Sequence, residues 1–125
     1  MSEDKPAPSR LGLRFYRTPA GTAPVRNWLR GLAGDVRRQI GWDVGLVQER
    51  WPVGKPLVDG FGGGLYEVRT TSDKNEYRVF FYIEREQIVV VHSSTMVLVH
   101  GIHKKTQKTP ATDIALARQR MKEGT

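Results

Sequence analysis

LYEVRTT (Leu65–Thr71), EYRVFFYIE (Glu76–Glu84), QIVVVHSSTMVLVHG (Gln87–Gly101) and IHKKTQKTP (Ile102–Pro110) form the stretch on which this chain turns. Three runs rich in β-branched and aromatic residues are separated by polar breaks, and a cationic loop follows them. The first two alternate as half-buried strands do. Tyr66 and Val68 stand against Leu65, Glu67 and Arg69, while Val79, Phe81 and Ile83 stand against Arg78, Phe80 and Tyr82. Side chains two apart share a face of a strand, so Glu67 and Arg69 are neighbours. An antiparallel sheet can bury one face and offer the other to solvent. That polar face, flanked by Lys104, Lys105 and Lys108, is where function is expected. Thr71–Asn75 suits a hairpin turn, and Arg85 and Glu86 mark a second. The third run exceeds the common strand length of about five or six residues. It reads either as one bent strand or as two strands broken at HSST.

Upstream, Leu11–Tyr16 reads as a short strand. Pro24 opens a helix in which Val25, Trp28, Leu29 and Leu32 form one apolar face. Asp35 is the expected N-cap of a second helix striped by Val36, Ile40, Val44, Val47 and Trp51 and stopped by Pro52. Trp42 and Leu46 lie off that stripe. Extra core contact is the preferred reading for them, and an aromatic anchor for a partner protein is the other. Residues 52–64 are Pro- and Gly-rich and read as a flexible connection. Their three glycines lack the GK[ST] of a phosphate loop. Thr109 as N-cap and Pro110 at the first position open a last helix carrying Ile114, Ala117 and Met121 on one side.

The 125 residues suit one domain spanning 10–125, after a disordered lead-in over 1–9. With no cysteine, disulfides, thiolate ligands and cysteine nucleophiles are excluded, which fits a cytoplasmic chain. No apolar run approaches the ~20 residues of a membrane span. The net charge is +7, spread along the chain, and residues 103–110 hold three lysines and no acid. Such a surface favours polyanions. His92, His100 and His103 raise a three-histidine metal site, but no acidic cluster or helical spacing supports it.

The order strand, two helices, antiparallel strands, basic loop and terminal helix resembles the RelE/ParE toxin superfamily. LYEVRT, EYRVFFYIE, VLVHG and KKTQKTP look most like its phage-derived HigB-type branch. VHSSTMVLVHG departs from that branch as an insertion of about ten residues. The resemblance implies an α+β fold, an antiparallel sheet with two N-terminal helices packed on one side and a short C-terminal helix at the edge. It also implies a toxin that cleaves messenger RNA on the ribosome without metal or other cofactor, neutralised by a HigA-type antitoxin with a helix-turn-helix domain. Carried over by position, the phosphate-binding cations fall on Arg69, Arg78 and Lys104 or Lys105.

Metal-free RNA cleavage needs the 2′-OH deprotonated, the phosphate charge stabilised and the 5′-oxygen protonated. Arg69 and Arg78 suit the charge, because a guanidinium forms two parallel bonds to phosphate. Their bland alternative is a pair of solvent-facing strand arginines. His103 is a candidate acid or base, or else a solvated loop residue. Glu67 is a candidate base or RNA contact, or an ordinary strand ion pair. Lys108 and Tyr82 are the further RNA contacts expected, Tyr82 by stacking on a base. A ParE-like gyrase inhibitor and a non-toxic antitoxin- or nucleic-acid-binding module are the alternatives.

Overall fold

The computed structural model describes residues 11–85, 94–105 and 108–124. The expected lead-in over 1–9, the turn at Glu86, and residues 91–93 of the apparent insertion, His92 among them, lie outside the described residues. The fold is α+β, one five-stranded sheet with three helices. In chain order the elements are β1 (Gly12–Phe15), α1 (Pro24–Arg30), α2 (Gly34–Arg50), β2 (Val58–Gly62), β3 (Leu65–Ser72), β4 (Asn75–Arg85), β5 (Ser94–Lys104) and α3 (Ala111–Gly124). The spatial order is β1-β5-β4-β3-β2. All neighbours are antiparallel except β1, which runs parallel to β5, so the sheet is mixed rather than purely antiparallel.

One face carries Val68, Tyr77, Val79, Phe81, Met96 and Leu98 against Val25 of α1 and Val36, Ile40, Val44 and Val47 of α2. Trp51, at the end of α2, closes this core edge-on to Tyr66 and Phe81, with centroids 5.0 and 5.6 Å away. The two helices therefore pack where the sequence places them, with Pro24 opening α1. Asp35 is not the N-cap of α2; Ala33 holds that position and Asp35 sits in the first turn, where its charge suits the helix dipole. Trp42 is 68% exposed, so the core-contact reading fails for it.

The other face departs most from expectation. Leu65, Phe80, Tyr82, Val97 and Val99 are buried there beneath Ala117, Ile114 and Met121 of α3. The last helix lies flat on the sheet instead of at its edge. Its apolar stripe needs an apolar floor, and YRVFFYI provides one on both faces, as a doubly covered strand does. Polar clasps fix it in place. Arg118 donates to the carbonyls of Gly62 and Phe61 at 2.9 and 2.7 Å, and Arg120 to Val99 at 2.9 Å. The Tyr16 hydroxyl donates to Glu123, and this bond holds its pKa above the ordinary phenol value.

The Pro- and Gly-rich stretch is not merely a connection. Val58–Gly62 pairs with β3 as an edge strand, bulged between Gly60 and Gly62. Gly62, Gly63 and Gly64 turn the chain at φ of 82°, 66° and 87°, values that only glycine adopts readily in series. A second bulge, between Phe80 and Phe81, makes Val99 the extra residue of β5, since Leu98 pairs with Phe81 and His100 with Phe80. It re-phases everything after it. Gly101 and His103 then face α1, while Ile102 and Lys104 join the face of Arg78.

Candidate functional site

The face under α3 is apolar toward one end and charged toward the other. Arg69 and Arg78 are direct cross-strand partners, Glu67 lies opposite Asp59, and Glu76 opposite Lys104. Period-two alternation therefore brings Glu67, Arg69, Glu76, Arg78 and Lys104 to one surface. Beside them is an open cleft of about 890 Å³ lined by Arg69, Lys74, Asn75, Glu76, Arg78, His103, Lys104 and Lys105.

Arg78 is its innermost cation, with 4% of the residue exposed. Its Nε lies 3.5 Å from Glu67 Oε2 and its Nη1 3.6 Å from Glu76 Oε2, and Nη1 donates to the Tyr77 carbonyl at 3.1 Å. Nε is nevertheless buried with no hydrogen-bond acceptor, the one such side-chain atom among the described residues. Buried donors are normally satisfied, so this one stands out. Arg69 is held between carboxylates, Nη2 at 3.0 Å from Asp59 and Nε at 3.4 Å from Glu67.

Burial pushes the Lys104 ammonium below the usual lysine pKa, and the nearby Arg78 charge adds to this. Glu76 is held below the usual carboxylate range, first by the Thr71 hydroxyl donating to it at 2.6 Å and further by Arg78. The cleft thus keeps its carboxylate ionised and its cations crowded, an arrangement suited to a multiply charged anion.

Of the residues singled out from sequence, Arg69, Arg78, Lys104, Lys105 and His103 line this cleft. His103 reaches it from the opposite face. Its ring stacks on Tyr77 with centroids 4.7 Å apart, and Nε2 lies 3.0 Å from Asn75 Oδ1. His100 projects elsewhere, bonded to Asp113 at 2.7 Å. Lys108 lies next door, in a second hollow of about 370 Å³ shared with Asp59, Phe61, Arg69 and Thr109. Two expectations are corrected. Tyr82 is 3% exposed beneath α3, where its hydroxyl faces Gly124, so its ring offers no surface to a base. Glu67 is 1% exposed, sunk into the floor of that second hollow and not displayed on the open strand surface.

Sequence reasoning missed Lys74, Asn75, Glu76, Asp59 and Thr109. Glu76 was readable, since it precedes Arg78 by two. Asp73 and Lys74 form the β3–β4 turn at φ of 48° and 64°, the left-handed pair of a tight hairpin turn. A lysine there is strained but delivers a cation to the cleft. Lys74→Gly is expected to stabilise the fold by about 0.5–1 kcal/mol. It should also weaken the hold of a polyanion on the cleft, with a salt slope lower by roughly 0.7 for a single-stranded probe. Urea unfolding and fluorescence anisotropy, run in parallel, check both halves.

Residues 27–122 match the family described as phage-derived protein Gp49-like (DUF891). The chain belongs to that family. The Gp49-like match spans α2, all strands from β2 to β5 and most of α3, and so includes every cleft residue. No curated protein matches the chain. No helix among the described residues is long and apolar enough to cross a membrane.

Proposed function

We propose that this Gp49-like chain is the toxin of a two-component toxin–antitoxin pair, of RelE/HigB type, and that it cleaves messenger RNA bound to the ribosome. The observation that carries the reading is Arg78, a buried guanidinium paired with Glu67 and Glu76 and set in the wall of a cleft that Arg69, Lys104 and Lys105 also line. A scissile phosphate seated there meets two guanidiniums able to share its charge as the 2′-oxygen attacks phosphorus and the bond to the 5′-oxygen breaks. The 2′-hydroxyl proton leaves to a base and the 5′-oxygen takes one up. Glu76, His103 and Lys104 are the titratable groups at hand for those transfers. In this reading the charge is met by the chain's own cations, without a metal. A HigA-type antitoxin and the ribosome are the partners, and the exposed Trp42 gives α2 an apolar contact remote from the cleft face.

The test is induction of the chain in a bacterium with message 5′ ends mapped across reading frames. Cuts within codons of translated messages, absent when translation is blocked, are expected. Growth arrest with intact messages and DNA damage would replace this reading with gyrase inhibition. Unimpaired growth would reject toxicity altogether.

A further inference from the structure

The corrected position of Glu67 raises a question that its sequence does not. A carboxylate 1% exposed is costly unless every oxygen is occupied. Glu67 Oε1 accepts from the Thr109 hydroxyl at 3.0 Å, and Oε2 lies 3.4 Å from Arg69 Nε and 3.5 Å from Arg78 Nε. Asp59, its cross-strand neighbour, holds the far end of Arg69, and Glu76 that of Arg78. One buried carboxylate therefore sits against the Nε edge of both guanidiniums.

Thr109 is equally telling. It stands where an N-cap is expected, yet the first backbone bonds of α3, from Asp113 and Ile114, go to the Pro110 carbonyl. Its hydroxyl is committed to Glu67 instead, and Thr109 is 8% exposed. The contact fastens the segment entering α3 to the charged end of the sheet.

We propose that Glu67 and Thr109 are positioning residues. The Thr109 hydroxyl fixes the Glu67 carboxylate, which in turn fixes Arg69 and Arg78 with their remaining N–H groups directed at one phosphate. This rests on the reading of the cleft as an RNA phosphate site. Two arginines free to rotate would each bind phosphate singly, whereas a shared anchor fixes the angle between them. Geometry of this kind governs rate, and a misplacement of about 1 Å can cost roughly 10²-fold.

The experiment compares wild type, Thr109→Val and Thr109→Ser, each ¹⁵N-labelled on arginine. Valine keeps the shape and removes the donor, and serine keeps the donor. The Arg69 and Arg78 Nε–H signals are followed while a 2′-O-methyl RNA trinucleotide, which cannot be cleaved, is titrated in. Thermal midpoints are recorded alongside. Wild type and Thr109→Ser are expected to give two sharp signals that shift together. Thr109→Val is expected to broaden both and weaken RNA binding about tenfold while remaining folded. Sharp signals and unchanged affinity in Thr109→Val would overturn the positioning role and leave the nuclease reading standing. Loss of both in Thr109→Ser as well would also overturn it, because the hydroxyl would not be what matters. If the signals behave as expected but wild type cuts no message on induction, the nuclease reading falls and the positioning holds for an anion site of another use.

Discussion

If the chain cuts messages as proposed, Arg78→Ala is expected to lower that cleavage by about 10²–10³, the usual loss when one preorganised donor to a developing oxyanion is removed. The size follows from where the residue sits. An exposed arginine is replaceable, because solvent and neighbouring lysines take over its charge. Arg78 is only 4% exposed and held between Glu67 and Glu76, so bulk solvent has little access to take over its charge. Arg78→Lys is expected to recover only part of the rate, since an ammonium carries the charge without the planar fork. Stability should fall as well, by about 1–3 kcal/mol, as Glu67 loses one partner. It should not collapse, because Thr109 and Arg69 still hold that carboxylate. Single-turnover cleavage on programmed ribosomes, with urea unfolding of the same samples, separates the two effects. A rate loss no greater than the loss of folded protein would remove Arg78 from the site.

The shared face of Glu67 and Arg69 was legible because it depends on period two alone, and it survives in the structure as an ion pair at 3.4 Å. The α2 stripe was legible from its steps of three and four, the helical period, with Val36, Ile40, Val44 and Val47 all buried. What alternation cannot show is a break in itself. Counted back from Met96 and Leu98, His103 would share the face of Arg78 and Lys104 would point toward α1. The extra residue Val99 exchanges them, and nothing in VLVHG announces a bulge. The edge strand β2 was hidden differently. VDGFG carries two glycines, and its order comes from pairing with β3 and from Phe61 stacked on Phe80 at 5.7 Å, not from local preference. Tyr82 was misread because the apolar run through β4 belongs to a strand covered on both faces, and only the position of α3 tells which aromatic lies beneath it.

Gly101→Ala is expected to be the most disruptive small substitution in the sheet. A Cβ at this position would lie 2.3, 2.5 and 2.8 Å from three atoms of the Trp28 ring. These are atoms of a rigid indole packed between α1 and the sheet, not the tip of a flexible chain. Either the indole leaves its position or β5 moves away from α1. The expected cost is at the upper end of the ~1–3 kcal/mol typical of overpacking, a large part of the ~5–15 kcal/mol that holds a domain folded. The strain should not stay local. Trp28 lies 6.5 Å from Tyr77, whose ring stacks on His103, and β5 carries Lys104 into the cleft three residues beyond Gly101. Relieving the clash from the other side is the discriminating measurement. Trp28→Leu alone should destabilise by loss of buried area. The double variant should be more stable than the sum of the single losses predicts, by about 1 kcal/mol or more, as contacting sites do. Strict additivity in urea unfolding would mean that Trp28 is not what Gly101 makes room for. Recovery of both stability and RNA affinity in the double variant would show that the small residue is needed to seat α1 without displacing the strand that carries Lys104.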